Sequence, residues 1–100
     1  MTPEALEQLF VGRRDGRVEL RMVLVDPAAG RTRSVQLAPT ADVGEAVRWL
    51  GRHLAREGRV RDVRRVRVRV ADGGGLRDAP DLADALRGAY RAVRDEGRAA

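Results

Sequence analysis

The sequence has no cysteine, a single histidine, His53, and a single serine, Ser34. Without cysteine the chain can form neither a disulfide nor a thiolate metal site. A histidine-based hydrolase needs a nucleophile, a base and an orienting acid, and no catalytic motif surrounds either residue. We therefore expect a protein that is not an enzyme, with no catalytic, cofactor-binding or metal-binding residues.

Long apolar runs are also missing. The longest spans residues 22–25, far short of the roughly 20 residues that a membrane-spanning helix requires. Glu4 and Glu7 interrupt any apolar segment after Met1, so no signal peptide is predicted. These features favour a soluble cytoplasmic protein without membrane contact. One hundred residues suit a single small domain, and we expect residues 97–100 to be frayed.

Hydrophobic periodicity divides the chain into six predicted elements. The helices are predicted at 3–11, 41–57 and 80–96, and the strands at 17–26, 31–38 and 63–71. Thr2 and Pro3 are typical of a helix start, and Gly12 of a helix end. The result is an α+β two-layer sandwich of order α-β-β-α-β-α. Its three-stranded antiparallel or mixed sheet carries the helices on one face.

The second helix has the clearest pattern, with four apolar residues repeating along one side. Thr40 or Asp42 is expected to cap its start and Gly58 its end. In the strand before it, alternation predicts that Val35 and Leu37 face the core and that Ser34 and Gln36 face solvent. The run 72–75, rich in glycine, is interpreted as a flexible connector to the last helix.

Positive charge is concentrated in residues 59–70, which hold six arginines and one aspartate and so account for the whole net charge of +5. In an extended strand, Arg65, Arg67 and Arg69 project from one face about 6.6–6.8 Å apart. That spacing approximates successive phosphates of a nucleic-acid strand. Together with Arg61 they are the candidate contacts for a partner or for phosphate. A solvated face that keeps an edge strand from aggregating is the alternative.

Aromatic residues are scarce: only Phe10, Trp49 and Tyr90 occur, all on predicted helices. Sheet surfaces that bind single-stranded nucleic acid usually offer stacking rings, worth about 1–3 kcal/mol per base. Nucleic-acid binding would therefore rest on phosphates and read sequence poorly. Trp49 and His53, four residues apart, form a candidate apolar interface, or alternatively a rim that covers the core edge.

These observations favour a non-enzymatic interaction module that binds another protein or its own copy, with a homodimer formed through a strand edge or through the Trp49/His53 side of the helix. The basic strand would steer the partner and the helices would supply apolar contact. The alternative is a low-specificity binder of the nucleic-acid phosphate backbone.

Overall fold

The computed structural model describes residues 4–26, 28 and 30–99. Within them the fold is α+β, with three strands followed by a helix and then three further strands followed by a second helix. The elements in chain order are β1 (Glu4–Arg14), β2 (Arg17–Asp26), β3 (Gly30–Leu37), α1 (Val43–Glu57), β4 (Val60–Asp62), β5 (Arg67–Asp72), β6 (Gly75–Asp78) and α2 (Pro80–Ala99).

The strands form one mixed sheet of order β3-β2-β1-β5-β6, with the short β4 also paired to β1. Neighbouring pairs are antiparallel except for β1 with β5 and β1 with β4, which are parallel. The predicted α+β class is confirmed. The predicted element order and the three-stranded sheet were wrong, because β1, β4 and β6 were not recognised as strands.

The helix predicted at 3–11 is instead β1, the central strand of the sheet. Its pairing with β2 shifts between Leu6 and Gln8, so Glu7 is an extra residue in a β-bulge. Because of the bulge, the buried residues Leu6 and Leu9 are three positions apart and not two. A spacing of three between apolar residues is also typical of one face of a helix, which explains the wrong prediction. Gly12 lies inside the strand and ends nothing. The predicted cap at Thr2 and Pro3 lies outside the described residues.

The faces of β3 were predicted the wrong way round. The register places Ser34 opposite Met22 and Val35 opposite Arg21. Residues directly opposite in an antiparallel pair share a face, and Met22 belongs to the core. Ser34 therefore lies on the helix side, whereas Val35 lies on the other side and is 47% exposed.

The core fills the space between the helices and one face of the sheet, as predicted. Its fully buried large side chains include Leu9, Val11, Val18 and Leu20 from the sheet and Val47, Leu50, Leu54 and Leu86 from the helices. Burial of this apolar surface provides the main driving force for folding. The hydroxyl of Tyr90 on α2 donates a hydrogen bond to the carbonyl of Val60 on β4 at 2.6 Å, which ties the second helix to the sheet.

Asp42 and Gly58 cap α1 as predicted, and the helix begins at Val43, two residues after the predicted start. Asp42 Oδ1 accepts a hydrogen bond from the Glu45 backbone N–H at 2.7 Å. At the other end Gly58 adopts φ 80°, and its N–H donates to the Leu54 carbonyl. Among the helices of the described residues, none is long and apolar enough to cross a membrane.

The predicted strand at 63–71 is divided, since β4 ends at Asp62 and β5 begins only at Arg67. The glycine run after β5 is a tight turn and not a flexible connector. Gly73 and Gly74, at φ 59° and 102°, join β5 to β6. Positive φ at both central residues is typical of a type I′ hairpin turn.

Candidate functional site

Within residues 4–26, 28 and 30–99, no layer of secondary structure covers the sheet face opposite the helices, and we call this face the open face. Strand registers assign to it Gln8, Phe10 and Gly12 of β1, Glu19, Arg21 and Val23 of β2, Arg33, Val35 and Leu37 of β3, Arg67, Arg69 and Ala71 of β5, and Leu76 and Asp78 of β6. Such a face is available to a partner without any rearrangement of the fold.

A shallow trough of about 350 Å³ crosses the open face. Small residues form its floor: a methyl group on Gly12 would lie 3.9 Å from the Cβ of Ala71. Phe10 lines one part of the trough, and Leu76, 56% exposed, lines another. The trough therefore presents apolar surface in the middle of the sheet.

Arginines surround the trough, and each acidic residue of the open face is shared between two of them. Asp78 Oδ1 lies 3.3 Å from Arg67 Nη2 and 3.4 Å from Arg69 Nε. Glu19 pairs with Arg14 at 3.1 Å and with Arg21 at 3.7 Å. Two arginines for each carboxylate leave the face net positive.

Arg33 adds a further positive charge on the β3 side of the trough. Its side chain is exposed. No ion pair or hydrogen bond engages it within the part of the chain that the structure describes. The guanidinium is thus available to a carboxylate or phosphate of a partner, either of which it can bind in bidentate fashion.

The four arginines predicted from the sequence do not form one row. Arg67 and Arg69 share the open face, as their parity indicated. Arg65 lies in the turn before β5, which begins two residues later. Arg61 lies on β4, where its Nε donates to the Gly58 carbonyl at 3.2 Å. The structure brings two of the four together, and Asp78 partly neutralises both.

Trp49 and His53 lie on α1, away from the open face. Their rings are stacked, with centroids 5.4 Å apart and planes inclined by 13°. Trp49 is partly buried against the core, and His53 Nε2 lies 3.6 Å from a carboxylate oxygen of Glu57. The pair forms a flat aromatic patch on the flank of the helix.

Sequence reasoning missed Phe10, the trough and Leu76. Phe10 was assigned to a helix because the bulge at Glu7 hid the strand alternation. Leu76 was missed because β6 was interpreted as part of a connector. One sequence signal did point to the open face. The alternation in β2 places Glu19 and Arg21 on the side of the sheet away from the core.

Two carboxylates outside the open face are strongly engaged by arginine. On α1, hydrogen bonds from Arg52 and Arg48 lower the pKa of Glu45. Near β4, hydrogen bonds from the side chain and backbone of Arg64 lower the pKa of Asp62. Both groups are thereby held as carboxylates. In the described residues, no group of three or more histidine, aspartate or glutamate side chains is arranged to hold a metal ion.

No family model, curated protein or solved structure matches this chain. Inference about its function therefore rests on the geometry and charge of the open face.

Proposed function

We propose that this protein is a non-enzymatic interaction module that binds another protein through the open face of its sheet. The observation that carries the proposal is a trough of about 350 Å³, lined by both apolar and charged residues, in a sheet face that is net positive and that no other part of the described chain covers. Exposed apolar surface rimmed by polar residues is characteristic of protein interaction sites.

The chemistry of the face selects an acidic partner with an apolar anchor. An aromatic or aliphatic side chain of the partner fits over the small floor of Gly12 and Ala71. Carboxylates beside that anchor reach Arg21 and Arg33 on the trough wall. The apolar contact supplies affinity, while the arginines raise the association rate and select against basic partners.

A second copy of the chain is a poor ligand for the same face. Stacking two open faces would oppose two surfaces that both carry an excess of arginine over acid. Like charges brought together in this way cost several kcal/mol, to an order of magnitude. The open face therefore favours a different protein.

Single-stranded nucleic acid is the second candidate, and the position of Phe10 favours it. A ring on the central strand, with arginines on the strands at either side, matches the stacking platforms that bind unpaired bases. Phe10 is the only aromatic residue among those assigned to the open face. Stacking would thus contribute about 1–3 kcal/mol, for one base only.

Panning a library of short random peptides against the protein tests the proposal. We expect enrichment of peptides that combine acidic residues with a large apolar one. An enriched peptide and a thymidine oligonucleotide are then titrated by fluorescence anisotropy against the wild type and two variants. Arg21→Glu reverses a charge at the trough, and Ala71→Trp fills the trough. Arg56→Glu, the same charge reversal at an exposed site on α1, is the matched control.

The two candidates predict different results. If the ligand is an acidic protein segment, Arg21→Glu and Ala71→Trp each weaken peptide binding about tenfold or more, which is about 1.4 kcal/mol. Arg56→Glu changes it less than about twofold. If the ligand is nucleic acid, Ala71→Trp strengthens oligonucleotide binding by adding a ring, and binding falls steeply with salt. Enrichment of basic peptides, or equal effects of Arg21→Glu and Arg56→Glu, would contradict both.

A further inference from the structure

The strand β3 forms one edge of the sheet, and within the described residues its outer side pairs with no other strand. It is eight residues long, from Gly30 to Leu37, and contains no proline, and its charged residues are Arg31 and Arg33. Natural sheets usually protect such edges with short strands, proline or charge, because an unpaired edge recruits another strand. This edge is long enough to pair with a further strand.

The backbone groups that face outward follow from one hydrogen bond. The N–H of Ala38 donates to the carbonyl of Val18 on β2 at 2.9 Å. Hydrogen bonding alternates along an antiparallel strand, so the N–H and C=O of Gln36 and Ser34 also turn toward β2. Those of Val35 and Arg33 turn outward and are unpaired by the sheet.

We propose that two copies of this chain pair antiparallel through β3, across a two-fold axis at Ser34. In this register Val35 of each copy stands opposite Arg33 of the other, and these two residues exchange the outward backbone hydrogen bonds. A two-fold axis gives a self-complementary interface, since each contact occurs twice. The sheet becomes continuous across the dimer.

Neighbouring registers are less favourable. An axis at Arg33 would place the two Arg33 side chains directly opposite each other, which is destabilising for like charges. An axis at Val35 would bring residue 31 opposite Pro39, which has no N–H to donate. The axis at Ser34 avoids both problems. It also covers Val35, 47% exposed, with the aliphatic stem of Arg33 from the second copy.

The helix side of the same edge supports this register. Gln36 Oε1 is buried and has no hydrogen-bond partner in the described chain. In the dimer Gln36 stands opposite Thr32 of the second copy. Because Gln36 Oε1 is inaccessible in the isolated chain, the Gln36 side chain must turn outward to accept from that hydroxyl, which then gives up its 3.3 Å bond to Glu4. The pairing in this way supplies a partner to an acceptor that has none in the described chain.

The aromatic patch on α1 lies toward the same edge. Gly51 faces α2, and α2 packs on β5, on the far side of the sheet from β3. At 100° per residue, Trp49 is turned about 200° from Gly51, so it and His53 occupy the flank of α1 directed toward β3. The strand edge and this patch therefore belong to one surface.

Single-cysteine crosslinking tests the register directly, because the chain has no cysteine of its own. Cα atoms of a non-hydrogen-bonded antiparallel pair lie about 4.5 Å apart, within disulfide range. Ser34→Cys should therefore form a disulfide-linked dimer under mild oxidant. Thr32→Cys is the matched control. In the proposed dimer the two copies of residue 32 lie four strand positions apart, about 13 Å, so their thiols should stay reduced. Equal crosslinking of both variants, or of neither, would overturn the proposal.

Mass in solution provides the second test. Light scattering should give about twice 11.0 kDa for the wild type. Val35→Pro removes an outward N–H without touching the β2 pairing, and should yield a monomer. The control Leu76→Pro removes an outward N–H from β6 at the opposite edge, since Ala79 N–H bonds inward to Val68, and should remain a dimer.

A wild type that stays monomeric at all concentrations, or a dimeric Val35→Pro, contradicts the edge pairing. If circular dichroism shows that Val35→Pro does not fold, the comparison of Ser34→Cys with Thr32→Cys decides whether the β3 edges pair. The result is independent of the proposed open-face function when Ala71→Trp is used to separate the two, because Ala71 lies on β5 and its replacement leaves the β3 edge unchanged. Arg21 lies opposite Val35, so Arg21→Glu does not serve for this comparison. Loss of partner binding and loss of the dimer are therefore separately measurable.

Discussion

Gly51 of α1 packs so closely on the backbone of Leu86 in α2 that a methyl group at Gly51 would meet the Leu86 carbonyl oxygen at 2.6 Å. The same methyl would lie 3.2 Å from both the Cβ of Ala89 and the backbone nitrogen of Tyr90. A glycine at this position is what allows the two helices to pack together over the sheet.

We expect Gly51→Ala to destabilise the protein by about 1–3 kcal/mol through overpacking, although alanine is the better helix former by about 1 kcal/mol. Gly88→Ala on α2 is the matched control, since nothing lies within 4 Å of a methyl there. It should stabilise the fold by about 0.5–1 kcal/mol. Urea unfolding measures both, and a stabilising Gly51→Ala would refute the close helix contact.

Removing the Tyr90 hydroxyl tests the link between α2 and β4. Tyr90 is 6% exposed, and its hydroxyl donates to the Val60 carbonyl. Tyr90→Phe leaves the ring in place but deprives a buried carbonyl of a partner, at a cost of about 1–3 kcal/mol. Thermal unfolding should show a lower midpoint. An unchanged midpoint would mean that this hydrogen bond contributes nothing to stability.

The orientation of β3 predicts a contrast between two valines. Val68 is 2% exposed on the core face of β5, whereas Val35 is 47% exposed on the open face. Val68→Ala removes two buried methyl groups and should cost about 1.6 kcal/mol at about 0.8 kcal/mol each, and more once the cost of the cavity is added. Val35→Ala, compared at protein concentrations low enough for the chain to be monomeric, should cost less than about 0.5 kcal/mol. Similar losses in chemical denaturation would mean that Val35 faces the core after all.

The ion pairs of Glu45 predict a defined pH dependence. Hydrogen bonds from Arg52 and Arg48 lower its pKa below the ordinary 4.5. The folded state therefore binds this proton more weakly than the unfolded state does. The resulting stabilisation is complete above pH 4.5 and is lost as pH falls through the lower folded-state pKa.

Comparison of Glu45→Gln with the wild type isolates this effect. The variant should be slightly less stable at neutral pH, because the Glu45 side chain is 46% exposed and its ion pairs are weak. The difference should vanish well below pH 4.5. Urea unfolding over a pH series measures it, and a difference that does not change with pH would exclude ionisation of Glu45 as its source.

The sequence predicted the elements whose signals are local. α1 was predicted with both caps because its apolar period, Asp42 and Gly58 all lie within one segment. The elements at 17–26 and 31–38 follow from alternation, and Arg67 and Arg69 were correctly expected on one face. In each case neighbouring residues carry the whole signal.

Features decided by pairing between distant segments were not predictable in the same way. The bulge at Glu7 in β1 is visible only against β2. The alternation in β3 does not show which of its two faces meets the core. Only the pairing of Val35 with Arg21 shows that Val35 lies on the open face. Asp78 partly neutralises Arg67 and Arg69 from β6. The glycines before this short strand led to its interpretation as part of a connector.

The proposal that the open face binds a protein partner is tested most directly by mapping amide chemical shifts of the ¹⁵N-labelled protein while an acidic peptide from the library is added. We expect saturable shifts at Phe10, Gly12 and Ala71, and in Arg21→Glu the same shifts should need about tenfold more peptide or higher concentrations still. Shifts confined to α1 and α2, or shifts that persist unchanged in that variant, would contradict it.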